Sequence, residues 1–222
     1  MPADQTLDRK AILALLATDA PLRLSGRDLA GADLGRLDLR DARFDGCSLA
    51  GADLTGADLG DTLWQRCTGA GAQLRAATLA DARFETCNFT AADWTGARLT
   101  SARFTGCKLS GSNFSDCGTL GLGFADCLLV GATLPGVNFR KAHLVGLDLS
   151  ESDLRGADFR DAIFENCSLR EAVLKTARFA GADLRGCDLG AIELADAPNF
   201  RGALISRDQA SELLRGFGLR VA

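Results

Sequence analysis

Large apolar residues recur at every fifth position along most of this chain. From Leu24 the column reads Leu29, Leu34, Leu39, Phe44, Leu49, Leu54, Leu59 and Trp64, and the same phase persists to Leu194. Of its thirty-five positions only Gly69 and Thr119 are not large and apolar. A second column of small residues, mostly Ala or Cys, lies two positions earlier, at Ala32, Ala42, Cys47, Ala52 and Ala57. A period of five matches neither the 3.6-residue turn of an α-helix nor the two-residue alternation of a strand. It suits a chain that turns a corner every five residues and buries one large and one small side chain per side.

Blocks such as Ala52-Asp53-Leu54-Thr55-Gly56 and Ala157-Asp158-Phe159-Arg160-Asp161 state the motif. The pattern resembles that of the pentapeptide-repeat family, A(D/N)LXX, over residues 22–204. The resemblance implies an all-β solenoid, a right-handed quadrilateral parallel β-helix of about nine coils with four pentapeptides in each. The cysteines test that 20-residue coil independently. Seven of the eight, at 47, 67, 87, 107, 127, 167 and 187, share one position modulo 20, with Leu147 filling the gap. Phe44, Trp64, Phe84, Phe104, Phe124 and Phe164 share another, and Phe139, Phe159 and Phe179 a third. Gly69 falls in the same coil as Trp64, so a missing side chain beside a large ring conserves core volume. Thr119 has no such account; the neighbouring Leu120 is the candidate to turn inward there.

Solenoid ends expose unpaired backbone and need caps. Residues 1–21 are read as an N-terminal cap, with a helix over 6–19 that places Leu7, Ala11, Ile12, Leu15 and Leu16 on one side. Residues 205–222 are read as a C-terminal helix. Ser206 and Gln209 have the spacing of a capping box, and Gly216 or Gly218 would end the helix. The apolar residues Leu213, Leu214, Phe217, Leu219 and Val221 then either pack on the last coil or meet a second copy.

Composition narrows the chemistry. Apolar residues make up 47% and charged residues 24%, which excludes a disordered chain. The net charge of −4 argues against a basic nucleic-acid binder. The apolar run Ala11–Ala17 is too short to span a bilayer and lacks a signal-peptide cleavage pattern, so a cytoplasmic location is expected. A straight column of thiols cannot wrap tetrahedrally around zinc, and rungs about 4.8 Å apart exceed disulfide Cβ spacing. No metal or cofactor is expected. The single histidine, His143, sits at an outward position and leaves no nucleophile–base grouping, so no enzyme is expected either.

Charge is laid out unevenly: residues 146–196 carry eleven acidic side chains against six basic. On a 20-residue coil Asp33, Asp53, Asp93, Asp153 and Glu193 share one column, and Asp38, Asp58 and Asp158 the next. Asp41, Asp61, Asp81 and Asp161 mark the adjoining corner. Arg23, Arg43, Arg83 and Arg103 form a basic column, with Asp45 and Glu85 as expected partners. Taken singly, an Asp before each core residue suits a turn, because its carboxylate bonds nearby backbone. Taken together, the carboxylates form a stripe. B-DNA carries one negative charge per roughly 1.7 Å of axis, so such a stripe fits a groove built for duplex DNA.

Within the family, the chain is similar to the Qnr type and the mycobacterial fluoroquinolone-resistance type, DNA mimics that bind DNA gyrase or topoisomerase IV. The resemblance implies a protein partner contacted by the acidic face, here Asp33, Asp53, Asp58, Asp93, Asp148, Asp153, Asp158 and Asp161. It also implies a homodimer joined through Leu213, Leu214, Phe217, Leu219 and Val221. Neither membrane nor direct nucleic-acid contact is expected. The unbroken register leaves no room for the projecting loops of Qnr proteins, so the chain is closer to the loop-free mycobacterial type. The alternative is an interaction scaffold for an unrelated protein.

Overall fold

The computed structural model describes residues 7–18, 21–192, 195–216 and 218–220. The chain divides into two compact units, Met1–Leu128 and Leu129–Ala222, each a four-sided parallel β-solenoid.

In the first unit, strands β1 (Arg23–Ser25), β2 (Arg43–Asp45), β3 (Leu63–Gln65), β4 (Arg83–Glu85), β5 (Arg103–Thr105) and β6 (Gly123–Ala125) pair in parallel at a strict 20-residue step. The second holds β7 (His143–Val145), β8 (Ile163–Ser168) and β9 (Asp183–Asp188), paired in the same sense. The other three sides of each coil are joined by single bridges such as Asp33↔Asp53 and Asp38↔Asp58.

The five-residue period has a local cause. On three sides a turn closes each repeat, as when the Ala57 N–H donates to the Leu54 carbonyl at 3.0 Å. The third residue of that turn, Gly56, has φ +65°, as a type II turn requires. Asp61 holds the equivalent corner at φ +58°, a conformation Asp tolerates better than most residues. Each turn throws the next large side chain inward, so Leu29, Leu54, Leu74, Trp94 and Leu154 are fully buried.

On the fourth side the chain runs extended, and the cysteines stand where that side ends. Cys67, Cys87, Cys107, Cys127 and Cys167 each donate Sγ–H at 3.4 Å to the carbonyl 23 residues earlier, that of Phe44, Trp64, Phe84, Phe104 and Leu144. A small thiol therefore fills the core and satisfies a buried carbonyl of the preceding coil at once. All eight thiols are free. Burial pushes the Cys117 thiol up to about 11 and raises those of Cys167 and Cys187.

Two expectations about the core need correction. A Cβ at Gly69 would lie 2.3 Å from Phe89 Cε1, so the ring that takes its place belongs to the following coil. Trp64 meets that same ring edge-on, with centroids 6.0 Å apart. Leu120 does not turn inward; it is 77% exposed. The turn bond from the Leu122 N–H to the Thr119 carbonyl keeps the backbone in phase, so Thr119 holds the inward position.

Helix α1 (Arg9–Leu16) begins one turn later than the sequence suggests, because the Asp8 carboxylate caps it by accepting from the Ala11 N–H. Of its expected apolar face Ile12 is buried, whereas Leu15 stays 41% exposed. Helix α2 (Arg207–Gly216) starts with the expected reciprocal box: Gln209 N–H to Ser206 Oγ at 3.1 Å, Ser206 N–H to Gln209 Oε1 at 2.6 Å. Gln209 Nε2 also donates to the carbonyls of Leu184 and Cys187, tying the helix to the coil beneath it. The helix closes with bonds from Gly218 N–H to Arg215 O and Leu219 N–H to Leu214 O, with Gly218 at φ +78°, a Schellman motif.

The repeat phase slips before α2. A 3-10 helix, Ala197–Phe200, adds one residue, so Phe200 rather than position 199 stacks on Phe179, at 4.5 Å. Glu193 and Leu194 lie outside the described residues.

Candidate protein-binding surface

Every Asp assigned to the acidic face serves the backbone first: Asp161 holds a turn corner at φ +60°, and the other seven bond a nearby N–H. Asp33, Asp53, Asp58, Asp93, Asp148, Asp153 and Asp158 each accept at Oδ1 from the N–H two residues on, at 2.9–3.2 Å. The backbone thus fixes where each carboxylate points.

Arginines then lace that face. In the first unit Arg9 reaches Asp33 at 3.0 Å, Arg75 reaches Asp93 at 2.5 Å, and Arg40 lies between Asp38 and Asp58 at 2.6 and 3.7 Å. In the second, Arg155 pairs with Asp153 at 2.5 Å and Arg140 with Asp161 at 3.6 Å. Asp158 sits between Arg160 and Arg178 at 2.7 and 2.9 Å, with its side chain only 8% exposed. Six of the eight named carboxylates are therefore ion-paired. Asp53 and Asp148 are the two without an ion pair among the described residues; Asp148 accepts instead from Ser150 Oγ.

Hydrogen bonds from the neighbouring guanidinium hold the carboxyls of Asp38, Asp153, Asp158 and Asp183 below their usual range. A carboxylate whose folded pKa is depressed contributes stability that is complete above its unfolded value of about 3.9 and is lost as pH falls through the folded value. The thermal midpoint should therefore fall as pH drops below about 4. Asp158→Asn should make that decline shallower, as read by circular dichroism between pH 2.5 and 7. A midpoint unchanged down to pH 2.5 would contradict the pairing.

One run of open carboxylates stands at a corner of the first unit. Asp41, Asp61 and Asp81 have φ of 60°, 58° and 58°, and each N–H donates to the next rung, at Gly60, Ala80 and Thr100. All three are exposed and have no ion pair among the described residues. Across a cleft of about 400 Å³ stand Arg23, Arg43 and Arg83, likewise without an ion pair among the described residues. Their expected partners are otherwise engaged: Asp45 by Arg66, and Glu85 by Gln65 Nε2 at 2.8 Å. The single histidine is outward, its Nε2 3.0 Å from Glu165.

Of the residues assigned to a dimer contact, Leu213 is half-buried, Leu214 39% exposed and Leu219 55% exposed. Phe217 and Val221 lie outside the described residues.

The sequence matches the family models for a pentapeptide repeat region at residues 37–117 and for pentapeptide repeats at 124–156 and 152–190. The chain belongs to the pentapeptide-repeat family. No curated protein matches it. Among solved structures, this pentapeptide-repeat chain is similar to a trypsin-treated variant of QnrB1, described as a plasmid-mediated fluoroquinolone resistance protein. The TM-score is 0.76 at 21% identity, covering 90% of this chain and 98% of that one. Full-length QnrB1 matches with a TM-score of 0.65 at 19% identity, over 89% and 98% of the two chains. At such identities the likeness is one of fold.

Proposed function

We propose that this pentapeptide-repeat protein is a non-catalytic ligand of a type II topoisomerase, DNA gyrase or topoisomerase IV. It enters the enzyme's basic DNA groove as a DNA mimic and so modulates the action of poisons such as fluoroquinolones. The observation that carries this reading is the ladder Asp41–Asp61–Asp81, whose exposed carboxylates follow one another along the first unit and form no ion pair among the described residues, Arg23, Arg43 and Arg83 standing across the cleft. Rungs at the inter-strand spacing of about 4.8 Å present an anion series dense enough to engage a site that reads phosphates. The likeness of fold to QnrB1, a fluoroquinolone resistance protein, over 90% of this chain agrees with a role in quinolone action. In this reading the protein acts in the cytoplasm. Two copies join through Leu213, Leu214, Phe217, Leu219 and Val221, an interface that Leu214→Asp with Leu219→Asp would disrupt, giving monomers by light scattering.

The test is a supercoiling assay with and without a fluoroquinolone, comparing wild type with Asp41→Lys/Asp61→Lys/Asp81→Lys. Lys141 already holds a repeat corner at φ +60°, so lysine is compatible with that backbone. Wild type should inhibit, or relieve the poison, at micromolar concentrations, and less so as salt rises. The triple variant should be at least about tenfold weaker, as loss of several phosphate-like contacts implies. No effect of wild type on either enzyme sinks the proposal; an unimpaired triple variant removes the ladder from it.

The pairing of six of the eight face carboxylates with arginine favours a second reading, a scaffold whose partner presents both signs of charge.

A further inference from the structure

The first coil of a solenoid has no predecessor, so its outward-facing backbone groups need other partners. Two sides of this coil have them. The Leu7 N–H donates to the Asp28 carbonyl at 2.7 Å, and Arg9 Nη1 donates to the carbonyls of Asp33 and Gly35 at 3.3 and 3.0 Å. Strand β1 does not. In the second coil the Arg43 N–H bonds back to Leu22 O, and Asp45 O accepts from the Gly26 N–H. The equivalent groups of the first coil, Arg23 N–H and Ser25 C=O, face the open edge and have no partner among the described residues.

Beside this edge lies a groove of about 560 Å³ between α1 and the first coil, with Leu7, Ala11, Ala14 and Leu15 on its apolar wall. Arg23 and Arg27 form its rim, both exposed and free of ion pairs among the described residues. Natural edge strands are usually blunted by a bulge, a proline or a covering segment. Here Pro21 precedes β1 by two residues, and among the described residues an uncovered edge, an apolar recess and two guanidiniums without ion pairs converge.

We propose that β1 and the groove beneath α1 form a docking site for an extended protein segment that alternates carboxylate with apolar side chains. The segment adds as an outer strand on β1. Main-chain bonds to Arg23 N–H and Ser25 C=O provide the pairing. An apolar side chain enters the recess against Leu15, and flanking carboxylates meet Arg23 and Arg27. Arg23 also lines the cleft that holds Asp41, Asp61 and Asp81, and those carboxylates repel an acidic segment. They confine it to the α1 side of the strand. The site shares Arg23 with the cleft of the proposed topoisomerase contact, and its peptide test does not depend on that reading.

The test uses the full chain and a fluorescein-labelled peptide in which glutamate alternates with valine and leucine. Fluorescence anisotropy should give a Kd below about 100 μM, in the range of weak, transient contacts. A peptide with lysine for glutamate should bind at least tenfold more weakly. A peptide N-methylated along its pairing edge should lose binding to a similar degree. Arg23→Glu/Arg27→Glu, which changes only exposed side chains, should weaken the parent peptide at least tenfold with an unchanged melting curve. Absence of binding at 1 mM, equal binding of the lysine or N-methylated peptide, or indifference to the double variant would each overturn the proposal.

Discussion

Trp64→Ala should destabilise the protein by about 3–5 kcal/mol, the range for deleting a large ring from a rigid core. Trp64 is fully buried, stacked on Phe44 at 3.9 Å and on Phe84 at 5.4 Å. Its indole N–H donates to Thr62 Oγ1 at 2.9 Å, and that hydroxyl donates to the Leu59 carbonyl at 2.7 Å. The hole left by alanine cannot close, because the coils on either side are held apart by their ladders at a fixed rise. Trp94 offers the contrast. It is equally buried, but its Nε1 is the one buried side-chain nitrogen or oxygen without a partner among the described residues. An orphaned donor costs about 1–3 kcal/mol, so Trp94→Phe, which removes the donor and keeps a ring, should be close to neutral. Urea titrations of both variants decide the matter. A Trp64→Ala cost no larger than that of Trp94→Phe would refute the account.

Gly69→Leu should be the other damaging change, at about 1–3 kcal/mol or more for overpacking. The new Cβ would sit 2.3 and 2.6 Å from two atoms of the Phe89 ring, and that ring is itself wedged edge-on between Trp64 and Phe84. Phe89→Ala alone should also be costly, since it opens a cavity. The two changes together should cost less than their sum by about 0.5–3 kcal/mol, the coupling expected of residues that share one volume. Strict additivity in a double-mutant cycle would mean that Gly69 and Phe89 do not exchange space.

The fold was legible because its signal is a phase rather than a propensity. The columns through Leu24 and Cys47 require a 20-residue coil, and Ser206 with Gln209 announces α2 three residues ahead of the bond that closes it. Features that depend on long side chains were less legible. The acidic face reads as bare until the arginines are placed, although Asp38-Leu39-Arg40, Asp153-Leu154-Arg155, Asp158-Phe159-Arg160 and Asp183-Leu184-Arg185 repeat one spacing that puts a guanidinium beside each carboxylate. The open ladder at Asp41, Asp61 and Asp81 was visible as a column, but its lack of partners was not. Gly69 and Phe89 stand twenty residues apart, and sequence alone favoured Trp64, nearer along the chain, over the ring stacked above. The slip at Ala197–Phe200 has a hint in Pro198, which removes a donor just where the next repeat would begin.

The left-handed corners carry a consequence for descent. Besides glycine they hold Asp, Asn, Arg, Lys, Ala, Thr, Ser and Glu, all at φ between 52° and 61°. These side chains leave the solenoid entirely, so the core does not register which one is present. Selection can rewrite that outer lettering one repeat at a time, altering what the molecule adheres to while the inner columns of Leu, Phe, Ala and Cys stay fixed. A change of partner in such a protein therefore requires no change of shape.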